Sequence, residues 1–144
     1  TIIIQPNSLR SIGYYAFLKL VSLEEINLPD GLNGITTGAF MDCQSLKSIV
    51  IPGSAEKIGD GAFMGCISLK SVVIAEGGAI IEEHAFEGCT ALEVIDFPKS
   101  VESIKNIDKN GTAKGKFPNL TAKVFKGSCA ERYCLENGIK VLYK

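Results

Sequence analysis

"GAFMDCQSLKSIVIP" (Gly38–Pro52) returns 23 residues later as "GAFMGCISLKSVVIA" (Gly61–Ala75). The two stretches differ only at Asp42/Gly65, Gln44/Ile67, Ile49/Val72 and Pro52/Ala75. Unselected drift would touch every position alike, yet here the apolar letters hold while polar ones change. The same beat extends outward in both directions. Ala-Phe recurs at Ala16-Phe17, Ala39-Phe40, Ala62-Phe63 and Ala85-Phe86. An isoleucine stands four residues before each pair, at Ile12, Ile35, Ile58 and Ile81, and Ile104 continues the series. Cysteine repeats at Cys43, Cys66 and Cys89; proline at Pro6, Pro29, Pro52 and Pro98, with Ala75 in the remaining slot. An L-x-x-I/V-x-apolar pattern reads Leu23-Ile26-Leu28, Leu46-Ile49-Ile51, Leu69-Val72-Ile74 and Leu92-Ile95-Phe97.

Physical chemistry explains the register. Ile49 and Ile51 alternate, the period of a strand with one buried face. Pro52 has no amide donor and ends that strand. Ile58-Gly59 begins a second short extended piece. Ala62-Phe63 then follow a glycine with room for one helical or 3₁₀ turn at most. A 23-residue unit of this kind cannot bury its apolar side alone. Stacked coil on coil, each strand pairs with the next and like residues fall above like. Leu, Ile, Phe and Cys ladders then fill the interior, which is why those letters cannot drift. At ~4.8 Å per coil, six coils make a rod ~29 Å long.

The motifs L-x-x-I-x-I-P, I-G-x-x-A-F and x-x-C-x-S-L resemble the leucine-rich repeats of the BspA-like (treponemal) type, over about Thr1 to Pro98. The resemblance implies an α/β solenoid: a right-handed superhelix of about six coils, strand-rich, with short helical or 3₁₀ turns and a C-terminal capping helix. Members are mostly surface or secreted proteins of bacteria and some parasitic protists, and several act in adhesion. An extracellular or cell-surface location and an adhesin-like role are thus what the resemblance implies. It supplies no catalytic residue.

The chain reads as a single domain, 1–144, with regular repeats over 1–104, an irregular inserted loop over 105–119, and a final strand and capping helix over 120–144. The Ala-Phe slot at 108–109 reads Asp108-Lys109, and "KNGTAKGKFPN" (Lys109–Asn119) is rich in loop residues. Leu120 lies 28 residues after Leu92, which implies five inserted residues. In "TAKVFKG" we expect Ala122 and Val124 inward, with Lys123 and Phe125 outward. Ser128 and Glu131 form a capping box, Gly138 suits the position after a helix end, and a helix is expected over about 129–137. The resemblance supports this cap through "G-S-x-A-E-x-Y". At the other end the chain opens mid-strand at "TIIIQP". We expect an upstream region or leader to have been removed, and the uncapped coil at Ile2–Ile4 to self-associate or to continue into upstream repeats.

Composition and chemistry exclude several functions. Fifteen basic against sixteen acidic residues give a net charge of −1, unlike a nucleic-acid surface. No apolar run approaches the ~20 residues of a membrane span, so membrane insertion is not expected. Cys43, Cys66 and Cys89 lack the close spacing of zinc ligands, and three equal slots would leave one thiol outside any disulfide. They read as buried small apolar side chains. Cys129 and Cys134 point ~140° apart on a helix and read as packing residues. His84, the single histidine, occupies the slot of Tyr15, Gly38 and Gly61; it reads as exposed surface with no triad partner. Glu82 and Glu83 read as solvated, and Gly77-Gly78 lacks the context of a phosphate loop. No enzyme, cofactor or metal site emerges.

What remains is a surface. Side chains between the inward residues of each L-x-x-I-x-I strand face the other way, on what is the concave face in this class. One column is Glu25, Ser48, Ser71 and Val94; its neighbour is Asn27, Val50, Val73 and Asp96. The face is small and apolar in the middle and acidic toward both ends. Two functions fit: a binding module for a protein or glycan, or a spacer segment of a longer solenoid. An intracellular regulator is a third option compatible with reduced cysteines. The β-branched residues alone are explained equally well by strand preference.

Overall fold

Each regular coil lays down two short strands, an alternating one before the proline slot and a shorter one around the buried isoleucine after it. The computed structural model describes residues 1–5, 9–107 and 117–144. Pro6, the departure at Asp108-Lys109 and the inserted loop through Lys116 lie outside the described residues. In chain order the strands are β1 (Ile2–Ile3), β2 (Ser11–Ile12), β3 (Ile26–Asn27), β4 (Gly34–Ile35), β5 (Ser48–Ile51) and β6 (Lys57–Ile58). They continue with β7 (Ser71–Ile74), β8 (Ala79–Ile81), β9 (Val94–Asp96), β10 (Val101–Ile104) and β11 (Thr121–Val124). Helix α1 (Cys129–Glu136) and β12 (Lys140–Tyr143) complete the chain.

All pairings are parallel. One sheet runs β5-β7-β9-β11-β12, and the β1-β3 pair extends it where β3 packs beside β5. A second sheet runs β2-β4-β6-β8-β10. The register places Ile49 against Val72, Val72 against Ile95, and Ile51 against Ile74, each 23 residues apart. The result is a solenoid of stacked coils.

The interior consists of the expected ladders. Ile12, Ile35, Ile58 and Ile81 are buried, as are Leu46, Leu69 and Leu92. Phe17, Phe40, Phe63 and Phe86 stack with ring centroids 5.0, 5.2 and 5.6 Å apart and planes within 13° of parallel. Phe17 is only half-buried because it ends the spine. In this first coil Tyr14, Tyr15, Leu18, Leu20 and Val21 are also exposed.

The Ala-Phe segment is a run of turns rather than a helix. Amides of Ala62, Met64 and Cys66 bond back three residues, to carbonyls of Gly59, Gly61 and Phe63. The intervening amides, of Gly61, Phe63 and Gly65, donate instead to Glu83, Ala85 and Glu87 of the next coil at 3.0, 2.9 and 2.8 Å. A helix would consume both sets internally. Alternation turns the backbone left-handed at Gly61 and Gly65 (φ 58° and 74°), so the main chain itself joins coil to coil.

At the C-terminal end the register departs from expectation. Ala122 pairs with Ile95, 27 residues on, so four residues are inserted rather than five. Leu120 sits one position nearer its strand than Leu92 does, held by a Phe117–Leu120 turn. Ala122 and Val124 are buried and Lys123 and Phe125 face outward, as the alternation required. Ser128 caps α1, accepting from the Glu131 amide, while the Glu131 carboxylate accepts from the Gly127 amide, one residue further back than in a standard box. Gly138 (φ 68°) and Ile139 donate to the carbonyls of Leu135 and Cys134, a Schellman end. The strand at Thr121–Val124 is not the last. β12 follows the helix and pairs with β11 in parallel, making α1 the crossover of a βαβ unit. The reason is legible in "IKVLYK": Ile139 is buried and Val141 half-buried against the core.

Candidate functional site

The strands of the long sheet bury every second residue, so the others form two aligned columns on its outer face. One column reads Glu25, Ser48, Ser71 and Val94, with Ser48 against Ser71 and Ser71 against Val94. The other reads Asn27, Val50, Val73 and Asp96, with Val50 against Val73 and Val73 against Asp96. The eight residues thus share one continuous face. Val50 and Val73 remain 60% and 36% exposed at its centre.

The face extends past the sequence reading at both ends, and only its C-terminal end changes character. Toward the N-terminus, Ile3 pairs beside Asn27, and the Thr1 hydroxyl donates to Glu25 Oε2 at 3.2 Å. Glu25, Asn27, Asp30, Ser48 and Val50 line an open depression of about 650 Å³ there. Toward the C-terminus the columns continue through Thr121 and Lys123 and then Lys140 and Leu142. Asp96 is not an open acidic terminus. The Lys144 ammonium lies 4.5 Å over the Phe125 ring and donates to Asp96 Oδ1 and, at 2.7 Å, to the Phe97 carbonyl. No sequence spacing announced this pair, since 48 residues separate its members. The alternation in "IKVLYK" was the signal for β12.

Long charged side chains border the face and pair across coil boundaries. Lys47 bonds Glu24, and Lys70 Nζ lies 3.8 Å from Glu93. The hydrogen bond from Lys47 holds the Glu24 carboxyl below its usual range. On the other sheet's flank Glu82 bridges Lys57 and Lys105 at 2.9 and 2.7 Å. Their hydrogen bonds, Lys105 foremost, lower its pKa. Glu82 is thus an inter-coil clamp rather than a merely solvated carboxylate.

The cysteine column proves more specific than small apolar filler. The thiols of Cys43, Cys66 and Cys89 are buried and donate to the carbonyls of Phe17, Phe40 and Phe63, each at 3.1 Å. Each thiol serves the second lone pair of a carbonyl that, in its own coil, already accepts one backbone bond. Burial pushes the Cys43 thiol up to about 11 and Cys134 to about 12. Cys66 is raised too, by the neighbouring Cys89 thiol and by burial. Such thiols stay protonated and inert at neutral pH. Cys129 is half-buried.

His84 is less exposed than the sequence suggested. Its side chain is only 27% exposed, and Nδ1 lies 3.0 Å from Asp60 Oδ1 in the preceding coil. Its slot does not accept any residue freely. Tyr15, Gly38, Gly61 and His84 all hold left-handed backbone, φ 53° to 61°, which costs about 1 kcal/mol for a side-chain-bearing residue. The pair joins coils, and among the described residues no group of three or more His, Cys, Asp or Glu is placed to hold a metal. No helix among them is long and apolar enough to cross a membrane.

Comparison with known proteins places this architecture. No curated protein matches the chain. A leucine-rich repeat protein from Bacteroides ovatus is 35% identical over 85% of this chain, with a TM-score of 0.69. A leucine-rich cell surface protein from Faecalibacterium prausnitzii is 34% identical over 92% of it, with a TM-score of 0.76. The pneumococcal vaccine antigen PcpA, at 19% identity over 94% of the chain and a TM-score of 0.65, shares the fold. The chain spans 30% of the first structure and 33% of each of the others. The family model for the BspA-type leucine-rich repeat region, in six copies, matches residues 1–108. With its 23-residue register and stacked Phe and Cys ladders, the chain belongs to the BspA-type leucine-rich repeat family.

Proposed function

We propose that this chain is a non-catalytic binding module of a cell-surface or secreted protein, engaging a protein or glycan partner in the manner of an adhesin. The observation that carries this reading is the Val50–Val73 pair, in register at the centre of the outer sheet face and open to solvent. Exposed apolar side chains flanked by Ser48 and Ser71, with charged chains tied off at the border, suit a partner that removes them from water. The surface location rests on family membership and on the likeness to the Faecalibacterium cell surface protein.

The test is a binding screen of the chain against extracellular-matrix proteins and a glycan array, repeated with Val50→Asp/Val73→Asp. A ligand retained by the parent and lost by the variant supports the reading. Equal binding by both, or no selective ligand, removes this face from the function and leaves the spacer role.

A further inference from the structure

The outer sheet face is electrically polarised along the solenoid axis. At the β1–β3 end, Glu25 and Asp30 line the depression beside Val50. At the β11–β12 end, Lys123 and Lys140 occupy the same two columns, and among the described residues neither is ion-paired. Lys144 removes the competing charge of Asp96 by bonding it. Val50, Val73 and Val94 lie between, with Ser48 and Ser71. The face therefore runs from acidic through apolar to basic.

We propose that the partner segment recognised here is an extended polypeptide of complementary order, basic at one end, apolar in the middle and acidic at the other, lying along the axis across the strands. This rests on the binding role proposed for the same face. From β3 to β12 is five coil steps, ~24 Å, which an extended chain covers in ~7 residues. That span is about three Debye lengths at physiological salt, so the two ends act as separate subsites. Edge hydrogen bonding is not required, because β5, β7, β9 and β11 are each paired on both sides or packed against a neighbour. Recognition passes through side chains.

A labelled synthetic peptide with two lysines, four alternating valines and serines, and two glutamates provides the probe, read by fluorescence anisotropy. Its control has the same composition with the charges interleaved. The ordered peptide should bind more tightly than the interleaved one. Lys123→Glu/Lys140→Glu should weaken it roughly tenfold, as two exposed charge pairs turn repulsive. The same variant should instead prefer a peptide with lysines at both ends. High salt should remove both differences. Equal binding of ordered and interleaved peptides, lost in Val73→Asp, overturns the polarity while leaving the binding face intact. Peptide binding unaffected by Val73→Asp, or absent for every peptide, overturns the polypeptide proposal itself.

Discussion

Replacing Phe63 by alanine tests the stacked spine at its centre. The Phe63 ring is fully buried and lies between Phe40 at 5.2 Å and Phe86 at 5.6 Å. Truncation removes the ring from both stacks and leaves a cavity that rigid coils above and below cannot collapse. The expected cost is ~3–5 kcal/mol. Phe17→Ala removes a half-buried ring with one stacked partner, Phe40, and should cost about half as much. Urea unfolding followed by far-ultraviolet circular dichroism reads both. With an m-value of about 2 kcal/mol/M, the Phe63→Ala midpoint should fall by roughly 2 M. A loss under ~1 kcal/mol at Phe63, or equal losses at both sites, would refute a continuous buried spine.

The thiols should report their burial. At pH 8 the native protein should label first at half-buried Cys129, while Cys43, Cys66, Cys89 and Cys134 react only after unfolding; rapid native labelling of the three-coil column would contradict the structure. Gly59→Ala should destabilise the protein by ~1–3 kcal/mol, since an added Cβ would lie 2.6 Å from the Thr36–Thr37 backbone, and a neutral effect in thermal melts would count against that coil spacing. Glu82 has a folded pKa below its ordinary carboxylate value, so its contribution is present above the unfolded pKa and fades as pH falls through the folded one. Parent and Glu82→Gln stabilities should therefore differ at pH 7 and converge in acid; a gap independent of pH would dismiss the Lys57–Glu82–Lys105 clamp.

Residues that act as ladders were legible because each is written several times. Phe40, Phe63 and Phe86 occupy equivalent environments, so three positions testify to one constraint. The single-use features carry no such repetition. Lys144 reaches Asp96 across 48 residues, and no repeat duplicates that contact. β12 follows the last repeat and pairs through a helix crossover, which a 23-residue beat cannot announce. The turn conformation was hidden for another reason. Gly38 and Gly61 suggest left-handed backbone, but Tyr15 and His84 fill the same slot and disguise it. The cysteines looked like filler because a thiol is small and apolar enough to be one; their bonds to the Phe carbonyls require the coil stacking to be seen. On the outer face, Glu25 through Asp96 could be placed in columns from alternation, whereas the lysines that give it an opposite pole needed the register of β11 and β12.

The main-chain bonds between coils, from the turns as well as the strands, all point along the long axis of the stack. That direction governs how the molecule bears load. Tension drawn between its two ends strains one coil boundary at a time, so the rod peels like a zipper. Each coil released pays out 23 residues, about 80 Å of taut chain. A pull directed across the axis loads every bond of a boundary together in shear and meets far greater resistance. A tether through this solenoid thus yields in even steps when stretched lengthwise, yet holds firm when the force arrives from the side.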